Sequence, residues 1–141
     1  MKKYWKTALW SMALLIITFT ATSCGDDEKP FKSKVYTLQS VGGSSVGGTV
    51  TFAEAQNSFT TVTINLTGNT ADSVRTAHIH EGVSGSGGAI AFRLTDIVDS
   101  KSVTLVDKSY ADFLNYNGYV NIHTSITSLK IVATANIGSN E

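Results

Sequence analysis

The 141-residue chain holds one cysteine and one proline, and neither sign of charge prevails, with 11 Lys and Arg against 11 Asp and Glu. A single Cys excludes an intrachain disulfide and a cysteine-based zinc site. The neutral balance hides an asymmetry: without residues 1–23, 8 basic and 11 acidic side chains remain, a net charge of −3. Nucleic-acid binding draws on a basic patch that neutralises phosphates, and this composition argues against it. Long hydrophobic runs are also missing. Ala8 to Phe19 is mostly apolar for about a dozen residues, where a spanning helix needs roughly twenty. Both Trp and both Met fall within the first twelve residues, so they belong to that segment and not to a core. The length suits one domain.

What is present at the start is ordered like a secretory signal. Lys2, Lys3 and Lys6 precede the apolar run, and Ala21-Thr22-Ser23 places small residues directly before Cys24. This segment resembles the lipobox of bacterial lipoproteins. The resemblance implies that residues 1–23 are a lipoprotein signal peptide and that Cys24 becomes an acylated N-terminus. Two or three acyl chains, palmitate among them, give stable membrane attachment where one does not. Residues 24–33 include Gly25-Asp26-Asp27-Glu28-Lys29-Pro30, an acidic tether. Acidic residues behind the lipidated Cys resemble the surface-export signal of Bacteroidetes lipoproteins. The implied location is the cell envelope, as an outer-membrane lipoprotein with the membrane as partner.

From residue 34 to 141 the chain is rich in Val, Thr, Ile and Gly and alternates at period two. Val50 and Phe52 alternate with Thr49 and Thr51; Val62, Ile64 and Leu66 alternate with Thr61, Thr63 and Asn65. The pattern predicts strands at Lys34–Ser40, Gly48–Ala53, Phe59–Leu66, Val74–His80, Ala89–Leu94, Ser102–Val106, Tyr119–Thr124 and Leu129–Ile137. Glycine-rich turns separate them, and one short helix starts at the cap Ser109 and is closed by Asn117-Gly118. The expected fold is all-β: an antiparallel β-sandwich or barrel of about eight strands.

All three histidines lie in two motifs. In Thr76-Ala77-His78-Ile79-His80-Glu81-Gly82, His78 and His80 are two apart and project from one strand face, while Ala77 and Ile79 face the core. In Tyr119-Val120-Asn121-Ile122-His123-Thr124, the alternation puts Tyr119, Asn121 and His123 on the face away from Val120 and Ile122. If the two strands pair, three imidazoles converge.

Together these motifs resemble the CHRD domain, first described in chordin and widespread in microbial secreted proteins. The resemblance spans roughly Lys34 to Ile137. It implies an extracellular β-sandwich of immunoglobulin-like or Cu/Zn-superoxide-dismutase-like shape, without an established enzymatic activity. The chain departs from the family at Val41-Gly42-Gly43-Ser44-Ser45 and at Ser128-Leu129-Lys130-Ile131-Val132, where family motifs are absent. His78, His80 and Gly82 are also similar to the copper-ligand strand of copper/zinc superoxide dismutases. The bridging and zinc-ligand histidines of those enzymes are lacking, which argues against superoxide dismutation.

Two readings of the histidines stand side by side. In one, His78, His80 and His123 hold copper or zinc with one open position, and Thr76, Glu81 and Asn121 orient the rings. In the other, the rings hydrogen-bond carbonyls and stabilise the sheet. The glycine-rich loop Gly82–Gly88 reads as a flexible neighbour of the cluster and lacks the Lys-Ser/Thr ending of a phosphate cradle. Tyr110, Phe113, Tyr116 and Tyr119 read as packing. No catalytic dyad or triad stands out, so the leading expectation is a non-enzymatic, lipid-anchored binding or structural module, with metal binding as the alternative. No motif specifies a protein or glycan partner.

Overall fold

The computed structural model describes residues 31–69 and 73–141; the lipobox-like segment, Cys24 and nearly all of the acidic tether lie outside the described residues. In chain order the strands are β1 (Ser33–Ser40), β2 (Gly47–Glu54), β3 (Thr60–Thr67), β4 (Ala77–Glu81), β5 (Ile90–Arg93), β6 (Lys101–Val106), β7 (Asn117–His123) and β8 (Ile131–Gly138). One short helix, α1 (Tyr110–Leu114), stands between β6 and β7. The strands are ordered β5-β4-β7-β8-β1-β2-β3-β6, and every pairing is antiparallel.

β1 makes the fold. Most of it pairs with β2, while only Gln39 and Ser40 reach β8, so one continuous sheet folds over into two packed layers. Across the open side Arg75 and Ile97 bridge through both backbone bonds, at 3.1 and 2.8 Å. The result is the expected all-β fold, in the form of a nearly closed barrel.

The inward rows follow the alternation. Val50, Phe52, Val62 and Ile64 from one layer meet Ala77, Ile79, Val120, Ile122 and Ile137 from the other, all essentially shielded from solvent. Each large side chain buried this way contributes about 1.5–3 kcal/mol. Phe113 of α1 sits between the layers, with ring centroids 4.9 Å from Phe52 and 5.6 Å from Phe92. Ser109 caps α1 as expected, its Oγ accepting from the Asp112 N–H at 3.1 Å.

Most boundaries fall within a residue of the sequence reading; three differ by two residues or more. β4 begins at Ala77, because Arg75 leaves the ladder for its bridge to Ile97. β8 begins at Ile131, and Leu129 is 63% exposed in the preceding loop. The helix ends at Leu114 with Asn115 as its C-cap, while Asn117 and Gly118 open β7 by pairing with Gly138 and Ile137.

β7 is the central strand of the histidine layer. Six of its seven residues are buried, so it is covered on both faces: by the core on one, and on the other by the loops that follow β4 and β7.

Candidate metal centre

β4 and β7 are neighbours, which brings the two histidine motifs together. His78 stands opposite Asn121 and His80 opposite Tyr119. A bulge follows Ile122, and His123 pairs with Ile131 of β8 while its backbone N–H donates to Thr76 O at 3.0 Å. Arg75 fastens this turn, donating from Nη1 to the Thr124 carbonyl at 2.6 Å. One ring nitrogen from each of His78, His80 and His123 lies within 4.8 Å of the other two. His78 and His123 are 2% and 4% exposed, and His80 is half-buried.

The hydrogen bonds assign the nitrogens. His80 Nδ1 donates to the Gly88 carbonyl at 2.9 Å, and His123 Nδ1 donates to the Leu129 carbonyl at 2.8 Å. In a neutral imidazole the other nitrogen then carries a lone pair, so both rings present Nε2. His80 Nε2 is buried with no hydrogen-bond partner among the described residues, and such an orphan is costly unless something fills it. His78 Nδ1 faces His123 Nε2 at 3.2 Å. Two metal–nitrogen bonds of about 2.0–2.1 Å at a tetrahedral angle place their nitrogens roughly 3.3 Å apart. The three-imidazole set therefore fits copper or zinc, both of which accept imidazole ligands.

Burial holds His78 and His123 neutral, the form that binds metals. Desolvation pushes His78 down to about 4, and the neighbouring His123, Arg93 and His80 add to the effect. His123 is also lowered by burial, against the Leu129 carbonyl, which favours its charged form. A cavity of about 380 Å³ adjoins His80 and His123, bordered by Tyr119, Asn121, Leu129, Ile131 and the glycines of the covering loop. That leaves room for an additional ligand beside the imidazoles.

The groups that orient the rings are not those the sequence suggested. Among the described residues, the bonds to the imidazoles come from the Gly88 and Leu129 carbonyls and from Arg93, whose Nη1 lies 3.2 Å from His78 Nε2. Thr76 contributes a backbone carbonyl to β7, Glu81 is exposed, and the Asn121 side chain accepts from Thr134 Oγ1 at 2.8 Å. Hydrogen bonds accepted by backbone carbonyls leave no trace in side-chain identity. Arg93 was legible, since a β4–β5 hairpin places it opposite His78.

The loop Gly82–Gly88, expected to be flexible, is pinned along its length. Ser84 N–H donates to Asn136 Oδ1 at 2.8 Å, Gly88 N–H donates to the Tyr119 hydroxyl at 3.1 Å, and Asn140 Nδ2 donates to Gly82 O at 2.7 Å. A Cβ on Gly88 would overlap the Glu81 carbonyl, so only glycine brings this backbone close enough to His80.

Barrel and site define a β-protein of the Cu/Zn-superoxide-dismutase-like fold with a three-histidine cluster able to coordinate copper or zinc. The CHRD-domain family model matches residues 19–127, and the chain belongs to that family. β8 lies past the end of the match, yet pairs with β7 along its whole length. Among solved structures, two single-substitution mutants of Candida albicans superoxide dismutase 5 align with TM-scores of 0.50, at 21% and 18% identity. The alignments cover 77% of this chain and 93% and 92% of theirs; at this identity the likeness is one of fold. No curated protein matches the chain by sequence.

The expectation of a non-enzymatic module is corrected by this geometry. It rested on the lack of a catalytic dyad or triad, which redox chemistry at a metal does not require. Three imidazoles converging on one point form a ligand set able to coordinate copper or zinc, so the expectation of no enzymatic activity does not stand.

Proposed function

We propose that this CHRD-domain protein binds copper at His78, His80 and His123 and is held at the bacterial cell envelope by a lipid on Cys24. The observation that carries the metal reading is the convergence of three ring nitrogens, with His80 Nε2 buried and without a hydrogen-bond partner among the described residues. Affinity at nitrogen sites rises toward Cu(II) along the first-row series and falls again at Zn(II), which favours copper over zinc. Copper held there would supply a one-electron redox couple beside an accessible cavity. The chain's own part is to keep His78 and His123 uncharged by burial, to aim His80 and His123 through the Gly88 and Leu129 carbonyls, and to bound the cavity with Tyr119 and Leu129.

The anchor reading is supported by Ala21-Thr22-Ser23-Cys24 behind a short apolar run and by the acidic residues that follow. It divides the chain into a signal peptide at 1–23, a lipidated tether at 24–33 and the domain at 34–141.

Metal binding is tested by melting the chelator-treated protein with and without Cu(II) or Zn(II). A ligand specific for the folded state stabilises by about 2.7 kcal/mol at a hundredfold excess over Kd. The expected result is a rise in Tm with Cu(II), larger than with Zn(II), that vanishes in His80→Ala. A wild-type Tm insensitive to both metals ends the metal reading.

A further inference from the structure

Two of the three rings already stand in the tautomer a metal needs; the third does not. A metal-bound imidazole usually donates its remaining N–H to a carbonyl, a carboxylate or water. His80 and His123 obey this through Gly88 O and Leu129 O. For His78, the nitrogen facing the cluster is Nδ1, so its remaining nitrogen is Nε2. That atom meets Arg93 Nη1 at 3.2 Å, and a guanidinium carries only donors.

The consequences follow from proton counting. While Arg93 donates to His78 Nε2, the single ring proton of neutral His78 sits on Nδ1. It then points at His123 Nε2, 3.2 Å away, and His123 can accept it because its own proton is given to Leu129. The chain of donors runs Arg93 to His78 to His123 to Leu129. It occupies the lone pair of His123 and removes that of His78 Nδ1. Of the three cluster-facing nitrogens only His80 Nε2 is left free, in agreement with its lack of a partner among the described residues.

We infer that Arg93 is a latch on the site: its hydrogen bond to His78 holds the metal-free tautomer, and a metal enters only when Arg93 lets go and the His78 proton moves from Nδ1 to Nε2. Arg93 is a positioning residue, acting through His78. Its side chain is exposed at the end of β5 and swings into solvent without breaking the core. Among the described residues, Arg93 Nη1 is the one side-chain group bonded to His78 Nε2, so its release leaves that nitrogen free to carry the proton toward water. A group at the position where metal sites place an acceptor, but bearing the opposite hydrogen-bonding character, lowers affinity instead of raising it.

The inference rests on the metal reading above, and the experiment separates the two. The full chain, in mild detergent, is titrated with Cu(II) as wild type, Arg93→Ala, Arg93→Lys and Arg93→Glu. Nitrogen-15 shifts of the His78 ring are recorded on the metal-free forms, and melting curves confirm that all are folded. The metal-free wild type should show His78 protonated at Nδ1 and bare at Nε2. Arg93→Ala should bind Cu(II) about 10- to 100-fold more tightly, the usual size of effects transmitted through a ligand's outer nitrogen. Arg93→Glu should bind at least as tightly and carry the proton on Nε2 before metal is added, while Arg93→Lys, still a donor, should remain near wild type. Wild-type affinity in Arg93→Ala and Arg93→Glu, or a metal-free wild type with His78 protonated at Nε2, overturns the latch and leaves the metal reading standing. If no form, Arg93→Glu included, binds Cu(II), the metal reading falls and takes the latch with it.

Discussion

Tyr119 lies flat against His80, with ring centroids 5.0 Å apart and planes within 11°, and the two are also joined through Gly88. The Tyr119 hydroxyl accepts from Gly88 N–H, and the Gly88 carbonyl accepts from His80 Nδ1. Backbone, phenol and imidazole form a closed triangle, so His80 is held by stacking on one side and by a hydrogen bond at its rim.

Breaking one edge of that triangle should loosen His80 without unfolding the barrel. Tyr119→Phe keeps the stacked ring and deletes the hydroxyl, leaving Gly88 N–H to water or to nothing. A cost of about 0.5–1.5 kcal/mol is expected, read by chemical denaturation of metal-free protein, together with weaker Cu(II) binding. Gly88→Ala should be worse on both counts, since its Cβ collides with the Glu81 carbonyl. Equal behaviour of Gly88→Ala and wild type would show that the loop does not hold His80.

Face assignment in the barrel is checked at two adjacent positions of β3. Ile64 is fully buried between the layers, whereas Thr63 is half-buried on the outer face opposite Val103. Ile64→Asp brings an unpaired charge into the core and should abolish folding of residues 31–141, as seen by loss of the sheet circular-dichroism signal. Thr63→Asp should cost about 1 kcal/mol or less. Similar damage at both positions would contradict the inward row.

Acid should weaken the metal-free protein through His78. Its pKa lies near 4 when folded and at 6.5 when exposed, so the unfolded chain takes up its proton first. The stability contributed by a neutral His78 is present above pH 6.5 and is lost as the pH falls toward 4, by an amount on the order of 2 kcal/mol. Denaturation midpoints at pH 7, 5.5 and 4, with chelator present, should fall accordingly. His78→Gln, which has no such proton to gain, should fall less, and parallel slopes for the two would refute the assignment.

Membrane attachment is checked at Cys24. Wild type expressed in a bacterial host should partition with membranes and incorporate acyl label, and Cys24→Ser should be released or mislocalised. A Cys24→Ser protein still bound to membranes, with no label on wild type, would remove the anchor from the proposal.

Much of this fold was legible because strands of period two announce their own faces. Val50 and Phe52, or Val62 and Ile64, point inward on any pairing that buries their side, and the cap at Ser109 is a local matter of three residues. The same logic put His78 and His80 on one face. Their meeting with His123 was not legible, because it depends on β4 lying beside β7, a contact between segments some forty residues apart that no local pattern encodes. Leu129 and Gly88 orient rings with backbone carbonyls, which every residue possesses, so their roles are invisible until the chain is folded. The Gly82–Gly88 loop looked free because glycine is permissive, whereas here that permissiveness serves close approach.

Tyr36 and Gly138 supply a consequence of another kind. The Tyr36 hydroxyl accepts from the Gly138 N–H at 3.2 Å, and Lys34 meets Glu141 at 2.5 Å, so the first strand begins where the last one ends. The strands form a ring of connections cut at a single place. A short linker from residue 141 to residue 33 would close that ring, and a new opening at the exposed turn Gln56–Ser58, in the layer away from the histidines, would give a circular permutant with His78, His80 and His123 untouched. Adjacent ends also suit insertion of the whole domain into a surface loop of another protein, which makes the three-histidine barrel a portable unit.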